Sequence, residues 1–349
     1  MNTPKISTPN LEHQFRSLPK AELHVHLEGS IEPSTVVELA ARHGITVTCE
    51  EAVARYAPGT FAQFIESFIW VTSFLRGPED YALIARRCAE SMRRQNVVYA
   101  EVTLSIGIML RRNQDPAANF AALREAAAQV PGVRLVWIFD AVRQWGAAPA
   151  MEVARIAVEL RSPDIIAYGI GGDELGLPTS DLRSVYEYVA RQGMHRLIHA
   201  GEIGGPEFVR EAVEILGAER IGHGIGVMHD ERTMDLLAVR GIPIEVCPTS
   251  NLRTGALAGQ LKSKRAGYEQ HPLPFLMRHG LPVTLSSDDP AMFETTLVDE
   301  YLHAHRMGLS PAELVGLAAA SFQHSFLPPL EKRVLLDQFH SAATALGLL

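Results

Sequence analysis

The chain has 349 residues, 47% of them hydrophobic and 21% charged, and 32 basic against 40 acidic side chains give a formal net charge of −8. So many apolar residues exclude low-complexity disorder, and an acidic balance without a long basic run argues against nucleic acid as a partner. Cys49, Cys88 and Cys247 offer neither a disulfide framework nor a CxxC zinc site; with no apolar stretch of ~18 residues and no leader-like core at residues 1–7, a cytoplasmic chain with no membrane partner is expected.

Short β-rich runs are predicted at 21–26, 97–103, 133–140, 165–170, 196–199, 220–223, 243–247 and 282–286, each followed by helical periodicity. After the first run, Val36, Val37, Leu39 and Ala40 lie between Pro33 and Gly44, the residues that favour a helix start and a helix stop. A further helical pattern over 61–94 is expected as an insert between the first and second strands. Later, Phe208, Val209, Ala212, Val213 and Leu216 fall on one helix face, and residues 311–349 read as added helices packing against the barrel. Eight strand–helix alternations predict an α/β chain, a (β/α)8 TIM barrel with a helical insert after strand 1 and extra C-terminal helices, in one domain over 1–349. The alternative is a doubly wound open sheet. Against it, no GxGxxG or GxxxxGK[ST] follows the first strand, and Gly169-Ile170-Gly171-Gly172-Asp173 lacks the dinucleotide-binding spacing.

In such a barrel the active site lies at the C-terminal strand ends. Those ends read His24 and His26, Glu101, Asp140, His199 with Glu202 beyond it, His223, and Asp288-Asp289. In a strand, residues i and i+2 share a face, so His24 and His26 can reach one ion. His199 and Asp288 complete three nitrogens and one oxygen, a set suited to a single Zn2+ with an open coordination position. Any one of these histidines alone reads as a packing residue; the set does not. The chain supplies an internal control, because His303-Ala304-His305 lies in a helical pattern where i and i+2 diverge by about 200°. That pair is expected to be structural. His13, His43, His195, His229, His271, His279, His324 and His340 are expected at the surface or in packing.

Five ordered segments carry a resemblance: Pro19-Lys20-Ala21-Glu22-Leu23-His24-Val25-His26-Leu27-Glu28-Gly29-Ser30, His199-Ala200-Gly201-Glu202, Arg220-Ile221-Gly222-His223-Gly224, Val246-Cys247-Pro248-Thr249-Ser250-Asn251 and Ser286-Ser287-Asp288-Asp289-Pro290. The chain resembles the adenosine deaminase family of the amidohydrolase superfamily, from about residue 18 to beyond Ser325-Phe326-Leu327-Pro328. The resemblance implies that His24, His26, His199 and Asp288 hold zinc. It implies that Glu202 protonates purine N1, that His223 orients and deprotonates the attacking water, that Asp289 contacts N7, and that the Gly172 N–H contacts N3. The unrelated deaminases that act on nucleic acid pair H-x-E with P-C-x-x-C, and no P-C-x-x-C occurs in this chain.

The substrate implied is a small-molecule purine nucleoside. Adenosine-specific members usually carry Asp where this chain has Glu28, and adenine-specific members usually lack the triplet kept here as Gly172-Asp173-Glu174. Residues 94–104, 168–172, 245–251 and 288–293 are most similar to aminodeoxyfutalosine deaminases of the alternative menaquinone pathway. Their substrate carries a carboxyphenyl ketone on its 5′ side, for which Phe61, Phe64, Phe68 and Trp70 of the insert, with Arg76 beyond, are candidate contacts. Adenosine, adenine, another amidohydrolase reaction and a non-catalytic binding role remain the alternatives.

Overall fold

The computed structural model describes residues 8–56, 59–160 and 162–349; residues 1–7, read above for a leader, lie outside them. Eight strands follow one another around the molecule: β1 (Lys20–His26), β2 (Val97–Leu104), β3 (Arg134–Val142), β4 (Ile165–Gly171), β5 (His195–Ala200), β6 (Arg220–His223), β7 (Ile244–Val246) and β8 (Val283–Leu285). Each pairs in parallel with the next, in chain order. This is the (β/α)8 barrel that the alternation predicted, and the open doubly wound sheet is excluded.

The seam between β1 and β8 closes at the mouth. His26 N–H donates to the Asp288 carbonyl (2.8 Å) and Asp288 N–H to the His24 carbonyl (3.1 Å), bridging Val25 to Asp288. The residues that carry site chemistry therefore also complete the barrel. β1 is not a regular strand: Glu22 pairs with Ala100 and Val25 with Val102, so three steps on β1 oppose two on β2. Such a bulge re-aims side chains. Glu22 accepts from the Ser287 N–H (3.0 Å) and hydroxyl (2.5 Å), behind the loop that carries Asp288 and Asp289.

The insert after β1 begins earlier than the 61–94 pattern, with helices Pro33–Arg42 and Cys49–Arg55 ahead of Phe61–Thr72 and Pro78–Arg94. Thr48 and Glu51 form a reciprocal capping box that starts the second helix. The helix expected around Val209 is Pro206–Glu214, with Val209, Ala212 and Val213 on its buried face. At the C-terminal end the added helices pack against the barrel as expected. Helix Pro311–Gln323 packs directly on β1 and β8, covering the seam as part of the barrel's own ring, and only Pro329–Ala345 lies outside it, with Phe339 against Phe322 at 5.8 Å. An N-terminal helix, Thr8–Ser17, had no periodic signal long enough to find; Phe15 seats it against Tyr301 at 4.9 Å. Among the described residues no helix is long and apolar enough to cross a membrane.

Candidate active site

Period-2 alternation after the β1 bulge turns His24 and His26 to the same face, with ring centroids 5.5 Å apart. Their ligand atoms and those of His199, from β5, and Asp288, beyond β8, all lie within 4.8 Å of one another, and all four residues are buried. Asp288 Oδ1 is 3.3 Å from Nε2 of both His24 and His26, and His26 Nε2 is 3.3 Å from His199 Nε2. Two of the outward nitrogens are occupied. His24 Nδ1 bonds Glu245 Oε2 (2.8 Å), and His199 Nδ1 bonds the Ile170 carbonyl (3.1 Å). Each bond fixes a tautomer that leaves Nε2 as the ligand, the usual way such rings are oriented. His24 Nε2 itself is buried with no hydrogen-bond partner among the described residues. Burial works against charge on Asp288, yet the facing imidazoles of His24, His26 and His223 hold its carboxyl well below the usual range. Three imidazole nitrogens and an ionised carboxylate oxygen converging in one buried space suit a divalent cation.

Under this set runs a buried ionic chain. Glu245 also pairs with Arg220 Nε (2.5 Å), and Arg220 Nη2 pairs with Glu101 (2.5 Å) while its guanidinium lies 3.9 Å from the centre of the Phe326 ring. Glu101, read from sequence as a strand-end group, thus serves this chain and is absent from the cavity lining.

The cavity above the cluster is lined by His26, His199, Asp288, Glu202, His223, Asp289, Gly172 and Asp140 on its polar side. His223 Nε2 is 3.6 Å from Glu202 Oε2 and 3.8 Å from Asp288 Oδ2. Burial, then the negative charges of Asp288 and Glu174, push the Glu202 carboxyl well above its ordinary value. That is the condition for a carboxylic acid that still carries its proton near neutrality. Burial lowers His223 to about 3, so the ring is neutral.

A relay sets which nitrogen of His223 carries hydrogen. The Leu273 backbone N–H can only donate, and it donates to His271 Nδ1 (3.1 Å). His271 Nε2 then donates to Asn251 Oδ1 (3.2 Å), so the Asn251 amide donates to His223 Nδ1 (3.2 Å) and leaves the hydrogen on Nε2. His223 and Asp288 both hold left-handed backbone, φ 61° and 65°, which costs roughly 1–3 kcal/mol each and marks positions fixed by their surroundings. Asp289 needs a glycine opposite: a Cβ on Gly29 would stand 1.8 Å from Asp289 Oδ1.

On its apolar side the cavity is walled by Phe61, Phe64, Ile65, Phe68 and Ile69 from the insert helix, with Ile108, Val142 and Trp145 opposite. Three of the aromatic candidates are therefore in place. Trp70 instead packs on Phe74 (5.2 Å) under Arg55 (5.5 Å), and neither it nor Arg76 lines the cavity. Glu28 is buried outside the lining, its Oε1 accepting from the N–H of Ser105, which does line it. Glu245, Asn251, His271 and Trp145 were not singled out from sequence. Asn251, inside a quoted motif, and Glu245, at the start of the stretch 245–251, carried a local signal.

The family model described as adenosine deaminase matches residues 19–342. The chain is 40% identical over 343 residues to an aminodeoxyfutalosine deaminase of Streptomyces coelicolor, covering 95% of this chain and 87% of that one. An adenine deaminase of Zymomonas mobilis is 32% identical over 336 residues, 94% of this chain and 97% of the other. The solved adenine deaminase of Arthrobacter aurescens superposes with a TM-score of 0.86 at 29% identity, covering 94% of this chain and 99% of that one. The chain belongs to the adenosine deaminase family.

Proposed function

We propose that this chain is a zinc-dependent aminohydrolase that converts a 6-aminopurine nucleoside to the 6-oxopurine and ammonia, with aminodeoxyfutalosine as its favoured substrate. One observation carries the reaction: a buried carboxylic acid, a neutral imidazole and a three-histidine, one-aspartate cluster face a single cavity. His24, His26, His199 and Asp288 would hold the ion. When bound, zinc supplies Lewis acidity that brings the pKa of water from about 15.7 towards ~7.

The chain's own residues do the rest. Glu202 donates its proton to purine N1, which makes C6 electrophilic. His223, carrying hydrogen on Nε2, orients the attacking water by donating to its oxygen; with that hydrogen in place it does not take the water's proton, the second role expected of it. Asp289 takes N7 as a donor in its protonated form, because burial and then Asp288 push its carboxyl well up, and the Gly172 N–H meets N3. Glu28, expected to project into the mouth beside the ribose, lies instead behind the lining and would act on the sugar side only through Ser105, whose N–H it accepts.

The substrate choice is supported by the 40% identity to an aminodeoxyfutalosine deaminase against 32% to an adenine deaminase. It is also supported by the apolar wall of Phe61, Phe64, Phe68 and Trp145, which suits an aromatic 5′ arm better than a bare hydroxymethyl group. A panel of aminodeoxyfutalosine, adenosine and adenine at matched concentration, followed by ammonia release, tests it. The expected order of kcat/KM is aminodeoxyfutalosine first, by about tenfold or more, and adenine last. Equal turnover of adenosine would overturn the substrate and leave the reaction standing.

A further inference from the structure

Glu174 sits just past β4, buried in the short turn Glu174–Gly176, and is absent from the cavity lining. Its carboxylate accepts four backbone N–H groups from one loop. Oε1 takes Gly201 (2.5 Å), and Oε2 takes Glu202 (3.1 Å), Ile203 (2.9 Å) and Gly204 (2.8 Å). That loop joins β5 to helix Pro206–Glu214 and presents the acid Glu202, with no helical or strand bonding of its own to hold it. The loop's carbonyls are held from the other side. Gln260 Nε2 donates to the Glu202 carbonyl (3.0 Å) and the Gly204 carbonyl (2.7 Å), and the Gly226 N–H donates to the Gly201 carbonyl (2.7 Å). The fit is close: a Cβ on Gly204 would come within 2.9 Å of Glu174 Oε1.

A carboxylate has acceptor capacity for about four such bonds, and charge-assisted ones are roughly twice as strong as neutral ones. Burial pushes the Glu174 carboxyl up, while the N–H bonds and the positive charge of Arg143 favour its ionised form. Arg143 is itself pinned to the Leu177 carbonyl (3.0 Å) and the Thr179 hydroxyl (2.8 Å). The loop's donors thus fold around an anion that the barrel holds in place.

We propose that Glu174 is a positioning residue for the acid: by gathering the N–H groups of residues 201–204 it fixes where the Glu202 carboxyl meets the purine, with Gln260 as its counterpart on the carbonyl side. This rests on the reading of Glu202 as the proton donor. The negative charge of Glu174 also adds to burial and to Asp288 in keeping that donor protonated.

The test is a double-mutant cycle on the zinc-loaded chain with aminodeoxyfutalosine, reading kcat, KM and bound zinc. Glu174→Gln keeps the size but turns an amide NH2 towards N–H donors, so kcat should fall ~10–100-fold with KM within ~3-fold and zinc unchanged. In a Glu202→Gln background the same change should cost under about twofold, because the group it positions is gone. A packing role would instead give equal losses in both backgrounds, and that result, or a Glu174→Gln variant as active as wild type, overturns the proposal. If Glu174→Gln does not fold, Gln260→Leu with and without Glu202→Gln decides by the same criterion. A wild-type chain that releases no ammonia from any of the three adenine compounds overturns the deaminase reading and this proposal together.

Discussion

His24 and His26 lie on β1, and His303 and His305 lie on helix Leu297–Arg306, with one residue between the members of each pair. On the strand both rings point into the barrel mouth, 5.5 Å apart and within reach of His199 and Asp288. On the helix they part company. His303 stacks on Tyr268 at 4.1 Å, and His305 bonds the Leu309 carbonyl at 2.8 Å, in the turn that follows the helix. The same tripeptide pattern serves chemistry in one place and packing in the other, because a strand repeats every two residues and a helix does not. A motif has meaning only together with the backbone that carries it.

The sharpest way to break this contrast is to remove one histidine from each group. His199→Ala should lose most of its bound metal, and turnover should fall at least ~10³-fold, since Lewis-acid stabilisation is worth several kcal/mol. His303→Ala and His305→Ala should keep full metal content and activity within a few-fold. Metal analysis and ammonia release on the three variants decide, and metal loss in His303→Ala would erase the distinction.

Within the mouth, Glu202→Gln separates the acid from the metal. It keeps the shape and the hydrogen-bonding capacity but has no proton to give, so turnover should fall ~10²–10⁴-fold with bound metal unchanged. Next in size is Glu245→Gln, which weakens the partner that orients His24 through Nδ1 at 2.8 Å. Metal affinity should drop ~10–100-fold, read by competition with a chelator, while a saturating metal supply restores turnover.

These residues differ in how far the sequence reveals them. The strand ends and the His24–His26 spacing are local, so they are legible from period and composition alone. Glu245 meets His24 across 221 residues, and the Leu273–His271–Asn251–His223 relay joins three separate segments, with His271 at a position that reads as packing. No periodicity encodes such pairings; they exist only once the barrel closes. The bulge in β1 was also hidden, since alternation over Glu22, His24 and His26 suggests one face, whereas Glu22 turns out to Ser287. The apolar wall was half visible: the spacing of Phe61, Phe64 and Phe68 marked a helix face, while Trp145 reaches it from the turn after β3.

The helix that carries the second histidine pair offers the mildest prediction. Glu300 on it is fully buried, accepts from the Thr295 hydroxyl (2.5 Å) and the Thr249 N–H (3.1 Å), and burial pushes it up to about 7 from an ordinary 4.5. A carboxyl raised on folding contributes its full stability below the unfolded value, and that contribution is lost as pH rises through the folded one. Between these two values wild type should lose up to about 3 kcal/mol from this group, and Glu300→Gln should flatten that slope in denaturant titrations without changing bound metal. An identical pH dependence in the two proteins would show that Glu300 stays ionised in the fold.

The most direct test of the central claim is to incubate the zinc-loaded chain with aminodeoxyfutalosine in heavy-oxygen water and analyse the product by mass. The account predicts one ammonia released per substrate consumed, and one heavy oxygen in each product molecule, located on the purine base at C6. Ammonia release without label on the purine, or label entering the 5′ arm with the amino group intact, would contradict it.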